Sequence, residues 1–251
     1  MEAELILLLI AAFGAGFLDA VVGGGGLIQL PALFSAYPAL PPATLLGTSK
    51  LAGVWGTLAA VWRYARTVRL DWHSIGPAML LAPLGAWAGA RAVSAIPPEQ
   101  VRMILPFVLG AVAVYTLMKK DLGQAHQPRF RAKSAVWVSA GMGLGLGFYD
   151  GLFGPGVGSV LIFVYVRLFG FDFLHASASA KLVNVACNIG ALIGFGLGGH
   201  LLWKVGLLMG ACNVVGSLVG SHTAIAQGSA FVRKVFIAVL SVLIVKIVAF
   251  S

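Results

Sequence analysis

The sequence predicts an all-α protein that crosses the membrane several times. Of its 251 residues, 59% are hydrophobic and 10% are charged, whereas soluble domains carry about 45–50% apolar and about 25% charged residues. The apolar residues lie in runs of roughly 18–24, the length that crosses about 30 Å of hydrocarbon as a helix. These runs lack the alternation of apolar and polar positions that marks a transmembrane barrel strand. The chain also matches itself, which predicts an internal repeat.

Five apolar segments are predicted in the first part of the chain. They lie at residues 5–22, 26–36, 43–62, 72–94 and 98–118. The second is too short to cross a bilayer alone as a straight helix. It either completes a crossing together with its neighbour or re-enters on the same side.

The self-match occurs at an offset of 131 residues and needs no gap. Asp19 in GFLD aligns with Asp150 in GFYD, and Lys50 aligns with Lys181. Unrelated apolar segments share Leu and Ala by chance, but they rarely share acidic and basic residues at one offset. We therefore predict two homologous repeats.

The predicted organisation is a first membrane repeat at residues 1–120, a basic cytoplasmic linker at 121–133 and a second membrane repeat at 134–251. Basic residues in the linker and after the third segment indicate cytoplasmic loops. If each repeat crosses five times, the second repeat is inverted and there are ten crossings. If the short segments are re-entrant, eight crossings remain and the halves are parallel. Inverted repeats are a recurrent plan of secondary transporters.

Glycine-rich breaks interrupt both repeats, as GGGG at residues 23–26 and GPGVG at 154–158. Irregular backbone at membrane depth is tolerated only where protein buries it or where it lines a cavity. A helix that restarts there directs free N–H groups and a positive dipole end at the gap, which favours an anion. Broken helices at matching positions therefore predict a transport site, with Gly24, Gly25 and Gly156 in its backbone.

Polar side chains inside the apolar segments extend this predicted site. Ionisable residues within a span usually face a cavity or a partner, and lysine, hydroxyl and amide groups all donate hydrogen bonds to an oxyanion. The candidate substrate-binding side chains are Lys50, Lys181, Thr48, Ser49, Ser179, Asn184 and Asn188.

The two intramembrane carboxylates, Asp19 and Asp150, leave several interpretations open. Asp19 can pair with Lys50, and Asp150 with Lys181, which would fix the helices without contacting substrate. Either carboxylate can instead couple transport to a proton. The GxxxG patterns at residues 85–89 and 216–220 are typical of close helix packing and leave a homodimer open.

Several function classes are disfavoured. We find no P-loop, no HExxH motif and no Ser/His/Asp constellation, and the histidines lack metal-ligand spacing. We therefore expect no metal, no cofactor and no enzymatic activity. The net charge of +9 is concentrated in loops, so the positive-inside rule explains it better than nucleic-acid binding does.

The paired segments GFLDAVVGGGGLIQLPAL and GFYDGLFGPGVGSVLIF resemble the TauE/SafE family of membrane proteins. In each half a lysine motif follows the break, as Thr48-Ser49-Lys50 and Ser179-Ala180-Lys181. The resemblance covers nearly the whole chain. It implies a multi-pass protein of the bacterial inner membrane that exports small anionic sulfur compounds, such as sulfite or organosulfonates.

The predicted function is a secondary transporter that exports such an anion by alternating access of the two repeats. The alternative is an anion channel lined by the same lysines. The expected partners are the small anion, the lipid bilayer and, through the GxxxG faces, a second copy of the chain.

Overall fold

The computed structural model describes residues 2–104, 107 and 132–249, and its regular structure there is helical throughout. The helices are α1 (Glu2–Val22), α2 (Gly26–Ala36), α3 (Pro42–Ala65), α4 (Trp72–Ala95), α5 (Pro98–Ile104), α6 (Ala132–Leu152), α7 (Val157–Val164), α8 (Phe173–Leu197) and α9 (Trp203–Ala249), the last of which is interrupted by a kink at Gly228 (φ +72°). A π-helical turn, Tyr165–Phe169, continues α7. The first four predicted segments correspond closely to α1–α4. Helix α5 covers the start of the predicted fifth segment. Apart from residue 107, the rest of that segment lies outside the described residues, as does most of the predicted linker.

The expected glycine breaks are present in both halves. Gly23 ends α1 with φ +77°, and Gly154 and Gly156 separate α6 from α7 with φ +86° and +76°. Residues with a β-carbon rarely adopt these left-handed φ values, whereas glycine adopts them freely. The backbone therefore turns sharply twice inside apolar sequence. Ser159 tethers the two breaks by donating a hydrogen bond to the carbonyl of Val22 at 2.8 Å.

The starts of the longer helices follow from their sequences. Pro42 occupies the first turn of α3, where its missing N–H costs nothing. Asp71 caps α4 by accepting from the N–H of His73, and Asp172 caps α8 by accepting from the N–H of Leu174 at 2.8 Å. Each cap satisfies a donor that the first helical turn leaves unpaired.

Close helix packing across the two halves positions the breaks. Helix α4 packs along α6, and α1 packs along α9. A β-carbon at Gly85 would overlap the backbone of Leu144, and one at Gly216 would overlap that of Phe13. The interpretation of both GxxxG patterns as packing is thus confirmed. Because these faces are occupied within the chain, a homodimer would need another surface.

Three described helices are long and apolar enough to cross a membrane: Glu4–Val22, Phe173–Leu197 and Trp203–Val232. A fourth candidate is Trp72–Ala95 together with Pro98–Ile104, which is bent by 117°. The prediction of eight to ten crossings exceeds this number within the described part of the chain. Helices α3 and α6 are long enough, about 36 and 31 Å at about 1.5 Å per residue, but their small and polar residues lower their hydropathy.

The outer surface is apolar, as a protein in lipid requires. Leu80, Trp137 and Leu197 are each more than 70% exposed, on three different helices. The interior holds buried hydroxyl, amide and charged side chains together with a hydrophobic core. This distribution suits a multi-pass membrane protein whose polar groups face one another.

The glycines of α6 provide a matched test of this packing. We expect Gly147→Ala to destabilise the protein by about 1–3 kcal/mol, because the new methyl group would overlap the backbone of Ala82. Gly145 lies in the same helix, and a β-carbon there would have no other atom within 4 Å, so Gly145→Ala should be neutral or stabilising by up to about 1 kcal/mol. Thermal unfolding in detergent measures both variants, and equal effects would contradict the packing.

Candidate functional site

Two ion pairs connect the halves of the protein crosswise. Lys181 on α8 donates to Oδ2 of Asp19 on α1 at 3.0 Å. Lys50 on α3 forms an ion pair with Oδ1 of Asp150 on α6. The pairing of Asp19 with Lys50 and of Asp150 with Lys181, one of the interpretations that the sequence left open, is therefore wrong. Helices α1 and α6 each pack against a helix of the other half, which brings each carboxylate to the other half's lysine.

The two pairs differ in their surroundings. The Lys181 side chain is 0% exposed and that of its partner Asp19 is 14% exposed, and the Thr57 hydroxyl lies 3.3 Å from Oδ2 of Asp19. The Lys50 side chain is 11% exposed, whereas Asp150 is 0% exposed. Among the described residues, Oδ2 of Asp150 has no hydrogen-bond partner. Each pair thus has one fully buried and one slightly exposed member, and the pairs differ in which member is buried: the lysine in one and the carboxylate, with an unsatisfied oxygen, in the other.

A cavity of about 60 Å³ lies between the two glycine breaks. A single water molecule needs roughly 10–15 Å³ on the same measure, so the cavity has room for a few waters or one small oxyanion. Its polar side chains come from six helices, and they are Asp19, Gln29, Ser49, Lys50, Thr57, Asp150, Asn184, Asn188 and Asn213. Backbone from both breaks completes the wall.

Most of the predicted site residues lie in this wall. They are Lys50, Ser49, Asn184, Asn188, Gly25, Gly156, Asp19 and Asp150. Four others are not part of it: Lys181, Thr48, Ser179 and Gly24. Thr48 donates to the carbonyl of Thr44 at 2.7 Å, and Ser179 donates to that of His175 at 2.8 Å. These two hydroxyls are satisfied within their own helices.

Sequence reasoning missed Gln29 and Thr57, and it treated Asn213 mainly as a helix-packing residue. Asn213 donates to Oε1 of Gln29 at 3.0 Å, and Gln29 donates to the carbonyl and the Oγ of Ser49 at 2.9 and 3.2 Å. These bonds join α9, α2 and α3 around the cavity. The sequence did offer one indication of Gln29, because this amide stands in the middle of a short apolar segment and a buried amide requires hydrogen-bond partners.

Glycine at position 154 makes room for the Lys50 ammonium. A β-carbon there would lie 3.1 Å from both Cε and Nζ of Lys50. The break between α6 and α7 therefore does more than interrupt the helix. Its bare backbone allows the lysine to reach both the cavity and Asp150.

A multi-pass helical protein with a buried charged cavity between broken helices has the architecture of a membrane transporter. The family model described as "Sulfite exporter TauE/SafE" matches residues 8–247. The chain belongs to this family, and it is a membrane transporter rather than an enzyme.

Three relatives show how far the similarity extends. A "Probable membrane transporter protein ORF9" of Sinorhizobium sp is 39% identical over 245 residues, 98% of this chain and 92% of the relative. A "Probable membrane transporter protein" of Haemophilus influenzae is 34% identical over 233 residues, covering 93% and 90% of the two chains. "Probable membrane transporter protein YfcA" of Escherichia coli is 34% identical over 243 residues, covering 96% and 88%. No solved structure matches the chain.

Paired charge removal tests the crossed ion pairs. Lys181→Met should destabilise the protein by about 3–5 kcal/mol, because it leaves the Asp19 carboxylate without its buried partner. Adding Asp19→Asn to Lys181→Met should restore much of the lost stability, because it removes the unpaired carboxylate. Adding Asp150→Asn instead should restore nothing, since Asp150 pairs with Lys50. Thermal unfolding of the three variants separates these outcomes, and rescue by Asp150→Asn alone would contradict the crossed arrangement.

Proposed function

We propose that the protein is a secondary transporter of the bacterial inner membrane that exports a small anion. The observation that supports this most strongly is the position of Lys50, whose ammonium reaches a cavity bounded by two glycine breaks. An ammonium group in a membrane protein's interior is costly unless it serves a partner or a ligand. The proposed ligand is an anion that takes the place of Asp150 beside this lysine.

The rest of the cavity favours the same ligand class. Ser49, Asn184 and Asn188 bring hydroxyl and amide donors to the wall. Helices α2 and α7 begin beside it, at Gly26 and Val157, so the positive ends of two helix dipoles add to the lysine charge. We propose Lys50, Ser49, Asn184 and Asn188 as substrate ligands. Lys181 is proposed to act indirectly, by holding α8 to α1.

The proposed transport mechanism is alternating access of two inverted repeats. The helix contacts support a duplication, because Gly85 lies against Leu144 and Gly216 lies against Phe13. Adding the offset of 131 to the number of Gly85 gives Gly216, and subtracting it from the number of Leu144 gives Phe13, so the two contacts are equivalent under the repeat. The crossed ion pairs obey the same relation. Rocking of one repeat against the other would open the cavity to each side in turn.

The proposed substrate is sulfite or an organosulfonate. The family description names sulfite, and a cavity of about 60 Å³ accommodates a small oxyanion more readily than an elongated one. An inside-negative membrane potential favours anion export by about 2.3 kcal/mol per charge per 100 mV. The anion's own gradient therefore suffices as a driving force, and the membrane potential adds to it wherever the anion crosses without a compensating charge.

An anion channel lined by the same residues is the second candidate. It is favoured by the partial exposure of Lys50, which a pore also requires. Flux measurements in proteoliposomes discriminate the two. Saturable uptake that is stimulated by the same anion on the opposite side indicates a transporter, whereas non-saturating flux without such stimulation indicates a channel.

Anion-dependent stabilisation of the purified protein tests the site. The panel is sulfite, sulfate, thiosulfate, sulfoacetate, phosphate and chloride, because a ligand of the folded state raises its apparent stability. We expect a shift with a sulfur oxyanion that is lost in Lys50→Ala. Lys204→Ala is the matched control, since Lys204 is exposed at the start of α9, and it should keep the shift. An undiminished shift in Lys50→Ala would place the site elsewhere.

A further inference from the structure

We propose that the cavity binds its anion together with one proton, and that Asp150 receives this proton. The inference rests on the proposed function, since it concerns the same cavity. It assigns different roles to the two carboxylates: Asp150 exchanges its partner during transport, whereas Asp19 keeps Lys181.

The hydrogen bonds distinguish the two carboxylates. Oδ2 of Asp19 accepts from Lys181 at 3.0 Å, and the Thr57 hydroxyl, whose closer acceptor is the Gly53 carbonyl at 2.9 Å, lies 3.3 Å from the same oxygen. Asp150 has only the ion pair between its Oδ1 and Lys50 within the described residues, and its Oδ2 is buried without a hydrogen-bond partner. A buried carboxylate oxygen without a donor is costly. A proton on that oxygen removes most of the cost once Lys50 is engaged elsewhere.

The charges of the site give the second argument. The two lysines and two aspartates sum to zero when all four are ionised. An arriving monoanion would leave this buried cluster with one net negative charge, which is unfavourable in a low-dielectric interior. Uptake of one proton restores neutrality.

The exchange balances in atoms and charge. Before binding, the Lys50 ammonium faces the Asp150 carboxylate. The anion and one proton from water then enter, the anion takes the ammonium, and the proton forms an O–H bond on Asp150. Lysine remains protonated throughout, no covalent bond to the anion forms, and the site is neutral before and after.

The neighbours of Asp150 favour a proton over a metal cation. The Lys50 ammonium already occupies one side of the carboxylate, and it would repel a sodium ion on the other. The other carboxylate in the described part of the wall, Asp19, already pairs with Lys181. A proton needs neither space nor additional ligands.

The other titratable groups around Asp150 are accounted for element by element. Helix α3 contributes Lys50, α1 contributes Asp19, and α8 contributes Lys181 and the buried thiol of Cys187. On α6 itself, Tyr149 donates its hydroxyl to the carbonyl of Pro155 at 2.8 Å. Helix α7 carries no titratable side chain, and Arg91 on the adjoining α4 is exposed.

Calorimetric titration of the purified protein with methanesulfonate tests the inference. This probe is a monoanion with no titratable proton near neutral pH, so any proton exchanged belongs to the protein. The binding enthalpy is measured in imidazole, triethanolamine and Tris, which are cationic or neutral bases without sulfonate or phosphate and whose ionisation enthalpies differ. The slope of the measured binding enthalpy against the ionisation enthalpy of the buffer should correspond to about one proton taken up per anion. The affinity for methanesulfonate should fall about tenfold per unit rise in pH.

Two variants locate the proton. Asp150→Asn should still bind methanesulfonate through Lys50, but with no buffer dependence and no change of affinity with pH. Glu99→Gln removes an exposed carboxylate and should keep the uptake of one proton. If Asp150→Asn does not fold, the wild-type buffer and pH dependence still decide whether a proton is bound.

The remaining outcomes overturn different parts of the proposal. Binding by the wild type without proton uptake would reject the proton and leave the anion site intact. Affinity that rises with sodium relative to choline, again without proton uptake, would replace the proton by a metal cation. Absence of methanesulfonate binding would remove the proposed anion site itself, and the inference with it.

Discussion

The cost of burying charge in a membrane protein governs the arrangement of this structure. Four ionisable side chains lie within apolar helices, and each lysine is neutralised by an aspartate of the other half. An isolated lysine or aspartate at this depth would be unfavourable by several kcal/mol. The halves must therefore associate with each carboxylate beside the correct lysine, and the close contacts of α1 with α9 and of α4 with α6 allow this.

Small residues allow the helices of the two halves to pack with their backbones in contact. Along α6, Gly143, Gly147 and Gly151 face α4 and allow the two backbones to touch. The same kind of contact joins α1 to α9 through Gly216 and Gly220. In lipid, helices gain little from burying apolar side chains against one another, so van der Waals contact between backbones carries much of the association. The glycine content of 33 residues thus reflects, in large part, a packing requirement.

Much of this arrangement could be predicted from the sequence, because it depends on local patterns. The bounds of α1–α4 followed from apolar runs, and the breaks followed from GGGG and GPGVG. Eight of the twelve candidate site residues lie in the cavity wall. The self-match also identified Asp19, Asp150, Lys50 and Lys181 as a set before any of their contacts were known.

The partners within that set could not be predicted, because a sequence pattern does not tell which helix lies opposite which. Pairing Asp19 with Lys50 assumed that each half closes on itself, whereas α1 and α6 pack against helices of the other half. Gln29 was missed for a related reason. Its role depends on Ser49 and Asn213, which are distant in sequence and meet only in the fold. Thr57 was missed for the same reason, because it lies beside Asp19, which is 38 residues away in the sequence.

The contact between the two glycine breaks has a consequence for how this protein can evolve. A β-carbon at Gly23 would strike the backbone of Gly158, and one at Gly158 would strike the backbone of Gly23. Because the obstacle on each side is main chain, no smaller neighbour can compensate for a larger residue. The two positions therefore cannot exchange size as a covarying pair, and each requires glycine for as long as the breaks touch. The side chains that line the cavity can change without disturbing the backbone that encloses it.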